Sequence, residues 1–177
     1  ELWKGETGNY VVATPSLVRS GDGRVDLAFG GCDGLLHILP ADGKGGKREI
    51  EIGAYVANSS AVRDGICYVA HNGGEVLAID IASGALTQWT DSPGEKAYPT
   101  WSADGAEIAF VVDKTEIKAV GRDGQTRDLV SGIKGVAYAP SWTKGEAGGE
   151  ISWIRSTPGK ADLMVGNEVR LAGHDIF

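Results

Sequence analysis

The sequence predicts an all-β fold, a β-propeller of about four four-stranded antiparallel blades that forms a segment of a larger ring. The first observation is a repeat: Gly34 and Gly74 are 40 positions apart, and Pro99 and Pro140 are 41 apart. The second is the high content of glycine, 27 residues, many of them paired with aspartate or serine in turn-forming dipeptides. The third is that no long apolar run shows the 3.6-residue period of a helix. Four short strands in each repeat of this length are typical of one propeller blade.

The expected boundaries divide one propeller unit into an outer strand of a preceding blade, four blades and the start of a next element. These segments are residues 1–8, then 9–52, 53–92, 93–132 and 133–173, then 174–177. One orphan strand plus four blades lies at the low end of the propeller range, which favours a larger ring. The alternative is that the orphan strand pairs with the last blade and closes a small ring.

The clearest element is a hairpin in the second blade, residues 65–80. Its first strand, 66–70, is apolar, its turn is Asn72-Gly73-Gly74, and its second strand begins at 76. The remaining strands are predicted, in chain order, at 13–18, 24–31, 35–39, 47–52, 58–62, 85–90, 98–102, 107–112, 116–120, 126–130, 139–142, 150–154, 162–165 and 168–171. Asp-Gly and Ser-Gly dipeptides separate most of these strands.

Stacking of blades explains the composition of the strands. A four-stranded sheet cannot bury both faces alone, whereas stacked sheets can. The central strands are therefore expected to be apolar on both faces, as 66–70, 108–112 and 151–154 are, and the outer strands more polar. Trp101 and Trp142 recur at equivalent first-strand positions, and Trp153 is expected in the core.

Charge and composition exclude some partners. The net charge of −7 argues against nucleic acid, whose phosphates need clustered lysine and arginine. No apolar run approaches the roughly 20 residues of a membrane span. Cys32 and Cys67 do not form a disulfide framework, and two reduced thiols are expected, with a pairing between them left open.

Several repeat segments carry a family resemblance. Residues 2–8, 13–15, 67–70, 74–80 and 83–84 resemble repeats of the pyrroloquinoline-quinone-dehydrogenase-like propellers, a superfamily that includes the outer-membrane assembly lipoprotein propeller. Residues 98–110, with Pro-Thr-Trp-Ser, and the Pro-Ser-Trp run at 140–142 resemble Tol-system and prolyl-oligopeptidase-type propeller repeats. The resemblance implies blade architecture and a periplasmic or extracellular location. It does not imply one function, because such repeats mark the fold.

The sequence predicts no catalytic residues, no metal ligands and no cofactor. It has no Cys-x-x-Cys-His, no zinc-like spacing, no Gly-x-Ser-x-Gly and no phosphate loop. The quinoprotein resemblance implies a quinone held by adjacent cysteines, and this chain has no adjacent cysteines.

A candidate ligand site is predicted on the loops that join second to third strands, which propellers gather on one face. His71 and Asn72 are the strongest candidates, because the repeat does not explain them. The other residues expected on that face are Asp33, Asp113, Lys114 and Arg155. The alternative is that all six are ordinary polar turn residues.

The favoured function is a non-catalytic β-propeller scaffold for protein binding or complex assembly. Its expected partner is another protein or the remaining blades of the same propeller. The alternatives are part of a quinoprotein-type dehydrogenase propeller and the gating propeller of a fused hydrolase, so an enzymatic role stays open although it is not the favoured hypothesis.

Overall fold

The computed structural model describes residues 4–19, 23–56, 58–90, 92–143 and 149–173. Over these ranges the chain forms strands β1 to β16, in four antiparallel sheets of four strands, which confirms the predicted all-β class. This part of the chain has no helix that could cross a membrane. The chain divides into two compact units, residues 1–92 and 93–177, which are described in turn.

Unit 1 contains two sheets whose strands pair in chain order. The first consists of β1 (Ser16–Arg19), β2 (Val25–Gly30), β3 (Leu35–Pro40) and β4 (Arg48–Glu51). The second consists of β5 (Ala61–Arg63), β6 (Ile66–His71), β7 (Glu75–Asp80) and β8 (Leu86–Gln88). Each sheet is a meander, because short connections allow only antiparallel neighbours.

Unit 2 repeats this topology. Its first sheet consists of β9 (Lys96–Trp101), β10 (Glu107–Val112), β11 (Glu116–Gly121) and β12 (Thr126–Val130). Its second consists of β13 (Val136–Trp142), β14 (Ile151–Thr157), β15 (Lys160–Val165) and β16 (Glu168–Leu171).

The core of unit 1 lies between its two sheets. The central strands β6 and β7 are buried along most of their length, whereas the outer strands β4 and β8 are half-buried or exposed, as predicted. The core cluster includes Ala28, Leu36, Ile38, Val56, Cys67, Val69 and Ile79. One face of each central strand is covered because the two sheets pack their apolar side chains against each other.

The core of unit 2 confirms the predicted placing of three tryptophans. Trp153 is 2% exposed and packs in the core cluster, and its indole N–H donates to the Gly166 carbonyl at 2.8 Å. Trp101 and Trp142 end β9 and β13 and lie opposite Ile108 and Ile151, which are equivalent register positions.

The predicted turn dipeptides are confirmed by backbone conformation. The glycines at 23, 43, 65, 84, 105 and 124 all have φ between 70° and 84°. In the turn between β5 and β6, Asp64 and Gly65 both have positive φ, 51° and 78°. A two-residue hairpin with positive φ at both positions matches the right-handed twist of its strands, and glycine allows it without steric cost.

The structure differs from the sequence prediction at Trp89 and near the start of the chain. Trp89, predicted in a fourth strand, lies one residue after β8, although its N–H still donates to the Val76 carbonyl at 2.8 Å. The predicted orphan strand, residues 1–8, is described only at 4–8, where no strand forms, and the start of the next element at 174–177 lies outside the described residues.

The contact between Gly30 and Val56 predicts that Gly30→Ala destabilises unit 1. A Cβ at Gly30 would lie within 2.5 Å of the Val56 side chain, whereas one at Gly46 would meet nothing within 4 Å. We expect Gly30→Ala to lower the free energy of unfolding by about 1–3 kcal/mol, and Gly46→Ala to change it little. Urea titration followed by circular dichroism measures both variants. Equal stability of the two variants would contradict the predicted packing.

Candidate functional site

The six residues predicted for a ligand site fall into two groups, one in each unit. Unit 1 holds Asp33, His71 and Asn72, and unit 2 holds Asp113, Lys114 and Arg155. Five of the six lie in, or at the strand end next to, the turns that join second to third strands. The exception is Arg155, which lies within β14, two residues before that strand ends.

In unit 1 the segment between the two sheets holds both hairpins by backbone hydrogen bonds. The Val56 N–H donates to the Gly31 carbonyl of the first hairpin at 3.1 Å. The Tyr55 carbonyl accepts from the Asn72 N–H of the second hairpin at 3.2 Å. Because Tyr55 and Val56 are adjacent, one short segment positions both turns, and the backbone of Asn72 is placed by this bond.

The segment that enters the first sheet repeats the arrangement. The Cys32 N–H donates to the Tyr10 carbonyl at 3.0 Å, which corresponds to the bond between Asn72 and Tyr55. Tyr10 and Tyr55 therefore occupy equivalent positions, and we call them the entering tyrosines. Their side chains are 81% and 47% exposed, and Val12, which follows Tyr10 closely, is exposed as well.

The first hairpin holds a buried histidine between two carboxylates. Nε2 of His37 lies 3.0 Å from Oδ2 of Asp33, and Nδ1 lies 3.2 Å from Oε1 of Glu49. Burial alone raises the pKa of Asp33, but the hydrogen bond and charge of His37, with the amides of Leu35 and Gly8, outweigh burial and hold the pKa below its usual value. Asp33 is thus an ionised carboxylate already engaged by its own hairpin.

The second hairpin carries its histidine on the other strand. His71 is 2% exposed; Nδ1 accepts a hydrogen bond from the Gly73 N–H at 3.0 Å, and Nε2 lies 3.0 Å from Oε2 of Glu75. A Cβ at Gly73 would lie 2.7 Å from the His71 ring, and a Cβ at Gly31 would lie 2.9 Å from Nε2 of His37. In each hairpin a glycine therefore leaves the space that an imidazole fills. The His71 side chain packs inside its turn.

In unit 2, Asp113 orders the segment that enters the first sheet. Its Oδ1 accepts a hydrogen bond from the Glu95 N–H at 2.8 Å, and its own N–H donates to the Glu95 carbonyl at 3.0 Å. The Lys114 carbonyl accepts from the Ala137 N–H at 2.7 Å. This turn is fixed at both sides, and the Lys114 side chain is exposed.

Arg155 pairs with a buried carboxylate on the neighbouring strand. Its Nη2 donates to Oδ2 of Asp162 at 2.6 Å, and Nζ of Lys160 lies 3.1 Å from Oδ1 of the same residue. The hydrogen bonds from Arg155 and Lys160 lower the pKa of Asp162 to about 2. Arg155 is therefore held in place by an ion pair.

The entering tyrosines and Glu49 were not among the sequence candidates. A signal for the tyrosines exists, because Tyr10 lies six residues before β1 and Tyr55 lies six residues before β5. Glu49 faces His37 across two strands, a pairing that spacing along the chain does not show.

The arrangement orders the hairpin turns beside exposed aromatic side chains. Among the described residues, no group of three or more His, Cys, Asp or Glu side chains could hold a metal ion. The two imidazoles in the hairpins are buried against carboxylates, which orders the turns. The exposed groups beside them are aromatic and acidic, and exposed aromatic side chains are typical of surfaces that bind other proteins. Whether the six predicted residues bind a ligand stays a prediction.

Comparisons with known proteins bear on the fold. The chain matches no family model and no curated protein sequence. Among solved structures it is similar to BamB from Moraxella catarrhalis, with a TM-score of 0.65 and 16% identity over 98% of this chain and 54% of that chain.

Two further solved structures have similar scores. A protein of unknown function from Bacteroides thetaiotaomicron gives a TM-score of 0.65 and 12% identity over 92% of this chain and 43% of that chain. BBS1N in complex with ARL6DN gives 0.63 and 16% over 91% of this chain and 51% of that chain. The chain spans about half the length of these structures.

These similarities show a shared fold, and the chain is a β-propeller protein built of four-stranded antiparallel blades. Identities of this size do not show which propeller superfamily its repeats belong to. The superfamily and the blade boundaries therefore stay predictions.

The ion pair of Asp162 predicts a stability contribution that acid removes. Its pKa is 3.8 in the unfolded chain and about 2 in the folded one, so the contribution is present above 3.8 and is lost as the pH falls through about 2. We expect Asp162→Asn to lower the free energy of unfolding near neutral pH and to match the original protein at the acid end. Urea titrations across this range measure the difference. Asp128→Asn, at an exposed carboxylate, is the control, and an equal loss in both variants would contradict the prediction.

Different burial of the two free thiols predicts different reactivity. Cys67 is buried, and burial raises the pKa of its thiol to about 11, whereas Cys32 is half-buried at the first hairpin. Because the thiolate is the reactive form, we expect an aromatic disulfide reagent to modify Cys32 in the folded protein and Cys67 only after unfolding. Absorbance of the released thiolate follows the reaction. A fast reaction of the folded Cys32→Ser variant would contradict this.

Proposed function

We propose that this chain forms blades of a non-catalytic β-propeller that binds a protein partner or assembles a complex. The observation that carries the proposal is the exposure of the entering tyrosines, Tyr10 and Tyr55, at equivalent positions of two blades. Tyrosine buries a large area at low entropic cost and keeps a polar tip for hydrogen bonding, so it is enriched at protein interfaces. The backbone hydrogen bonds at both positions hold these side chains on rigid segments, which supports binding without reordering.

Charge near the entering tyrosines supports a partner of defined chemistry. Glu49 and Glu75 are partly exposed at the two hairpins of unit 1, and the whole chain carries a net charge of −7. Lys47 pairs with Glu49 at 2.7 Å, so the acidic character rests on Glu75 and on the net charge of the chain. An acidic surface with exposed aromatic side chains complements an apolar patch bordered by lysine and arginine. We therefore expect a protein partner with that surface.

One of the similar structures is a complex of two proteins, which is consistent with this proposal. BBS1N was crystallised with a second protein, ARL6DN. A location outside the cytoplasm is supported by the resemblance of the repeats and stays a prediction.

Replacing both entering tyrosines tests the proposal. The immobilised chain is incubated with extract of its source cells, and the proteins that bind to it are identified. We expect the Tyr10→Ser/Tyr55→Ser variant to bind at least one of these proteins no longer. With that protein purified, we expect the double variant to bind at least about tenfold more weakly, because aromatic anchors dominate such interfaces. Calorimetry measures the affinity.

Leu86→Ser is the matched control, because Leu86 is 44% exposed in the same unit but lies on the outer strand β8. Its affinity is expected to equal that of the unchanged chain, with circular dichroism confirming that all three proteins are folded. Equal affinity of the double variant and the unchanged chain would overturn the proposal.

A further inference from the structure

A cavity of about 230 Å³ lies in unit 2, between the segment that joins its two sheets and the strands β14 and β15. Its apolar wall includes Val130, Trp153 and Met164, all of which are buried. Arg155 lines the cavity as well, and Lys134 and Asn167 lie at its exposed rim. The cavity thus combines an apolar wall with cationic and amide groups at its mouth, as small-ligand sites do.

Arg155 has donor groups that its ion pair does not use. A guanidinium carries five N–H donors, and the hydrogen bond to Asp162 takes one of them, from Nη2. Its Nε is enclosed and has no hydrogen-bond partner among the described residues. A buried donor without an acceptor costs free energy, and a ligand oxygen in the cavity would remove that cost.

The charge of the cavity mouth is positive in a chain that is acidic overall. The side chains of Lys134 and Asn167 make no hydrogen bond or ion pair with any other residue that the structure describes. The carboxylate of Asp162 is shared between Arg155 and Lys160, and no carboxylate among the described residues pairs with the cation of Lys134. An anion would meet two cations and two kinds of N–H donor here.

We propose that this cavity binds a carboxylate on a short aliphatic stem. The carboxylate would accept hydrogen bonds from Arg155 and pair with Lys134, while the stem packs against Trp153 and Met164. An inorganic phosphate has no apolar part to cover that wall. The volume suffices, because a cavity of about 150 Å³ is large enough for benzene. The carboxylate can belong to a free dicarboxylate or to a glutamate side chain of a polypeptide, and the inference does not rest on the proposed scaffold function.

Nuclear magnetic resonance titration of the ¹⁵N-labelled full chain tests this binding. The probes are glutarate, a capped Gly-Glu-Gly peptide whose side chain is its only charge, and glutaramide as the uncharged control. We expect glutarate, the peptide or both to shift the Arg155 Nε–H and the Trp153 indole N–H with saturation at millimolar concentration, and glutaramide to leave them unchanged. Saturation by the peptide assigns the carboxylate to a polypeptide, and saturation by glutarate alone assigns it to a free dicarboxylate.

Charge-matched variants separate the cavity from general electrostatics. We expect Lys134→Gln to weaken glutarate and peptide binding about fivefold, because an exposed cation contributes modestly. Lys118→Gln, at a residue that does not line the cavity, removes the same charge from the same unit and should leave the affinity unchanged. Arg155→Lys keeps a cation for Asp162 but loses the planar donors, so the Trp153 indole shift should require at least about tenfold more ligand.

Three results would overturn the proposal. The first is no saturable shift with glutarate or the peptide. The second is an equal response to glutaramide. The third is equal weakening by Lys134→Gln and Lys118→Gln, which would assign the effect to net charge.

Discussion

Backbone hydrogen bonds between the segments that enter each sheet and the hairpin turns are the constraint on which the rest of the structure depends. The Tyr55–Val56 segment bonds to a turn on either side, at Asn72 and at Gly31, and the Glu95 segment bonds to Asp113 in the same way. Buried backbone groups must be paired, so these bonds fix the turns without using side chains. Side chains at the turns are then free to differ between blades, which is why a histidine, an aspartate or a cysteine can occupy related positions.

The two histidine hairpins show how that freedom is used. The imidazole of His37 comes from β3 and that of His71 from β6, yet each fills space beside a glycine and lies against a carboxylate. A Cβ at Gly31 or Gly73 would collide with the ring, so the glycine and the histidine in each hairpin depend on each other. Each imidazole is tied to its turn through one ring nitrogen, Nε2 of His37 by Asp33 and Nδ1 of His71 by the Gly73 N–H.

The fold could be predicted from the sequence because turn dipeptides and alternating apolar residues determine register over short distances. The same short-range register predicts that Arg155 and Asp162 face each other, because the turn between their strands is only Pro158-Gly159. The sequence does not predict the pairing of His37 with Glu49. Seven residues separate β3 from β4, and a loop of that length does not determine the register. Exposure of the entering tyrosines depends on packing between elements, which periodicity along one strand does not describe.

Rigidity is common to the two surfaces for which binding is proposed. The entering tyrosines of unit 1 project from segments whose backbone is hydrogen-bonded to a neighbouring turn, and Arg155 of unit 2 is oriented by Asp162. In both places the conformational entropy of these groups is already lost when the protein folds. Binding therefore requires little further loss of conformational entropy. A blade therefore presents fixed side chains on a scaffold whose backbone is already hydrogen-bonded. Side chains at the turns therefore differ between blades, while the backbone bonds that carry the repeat stay the same.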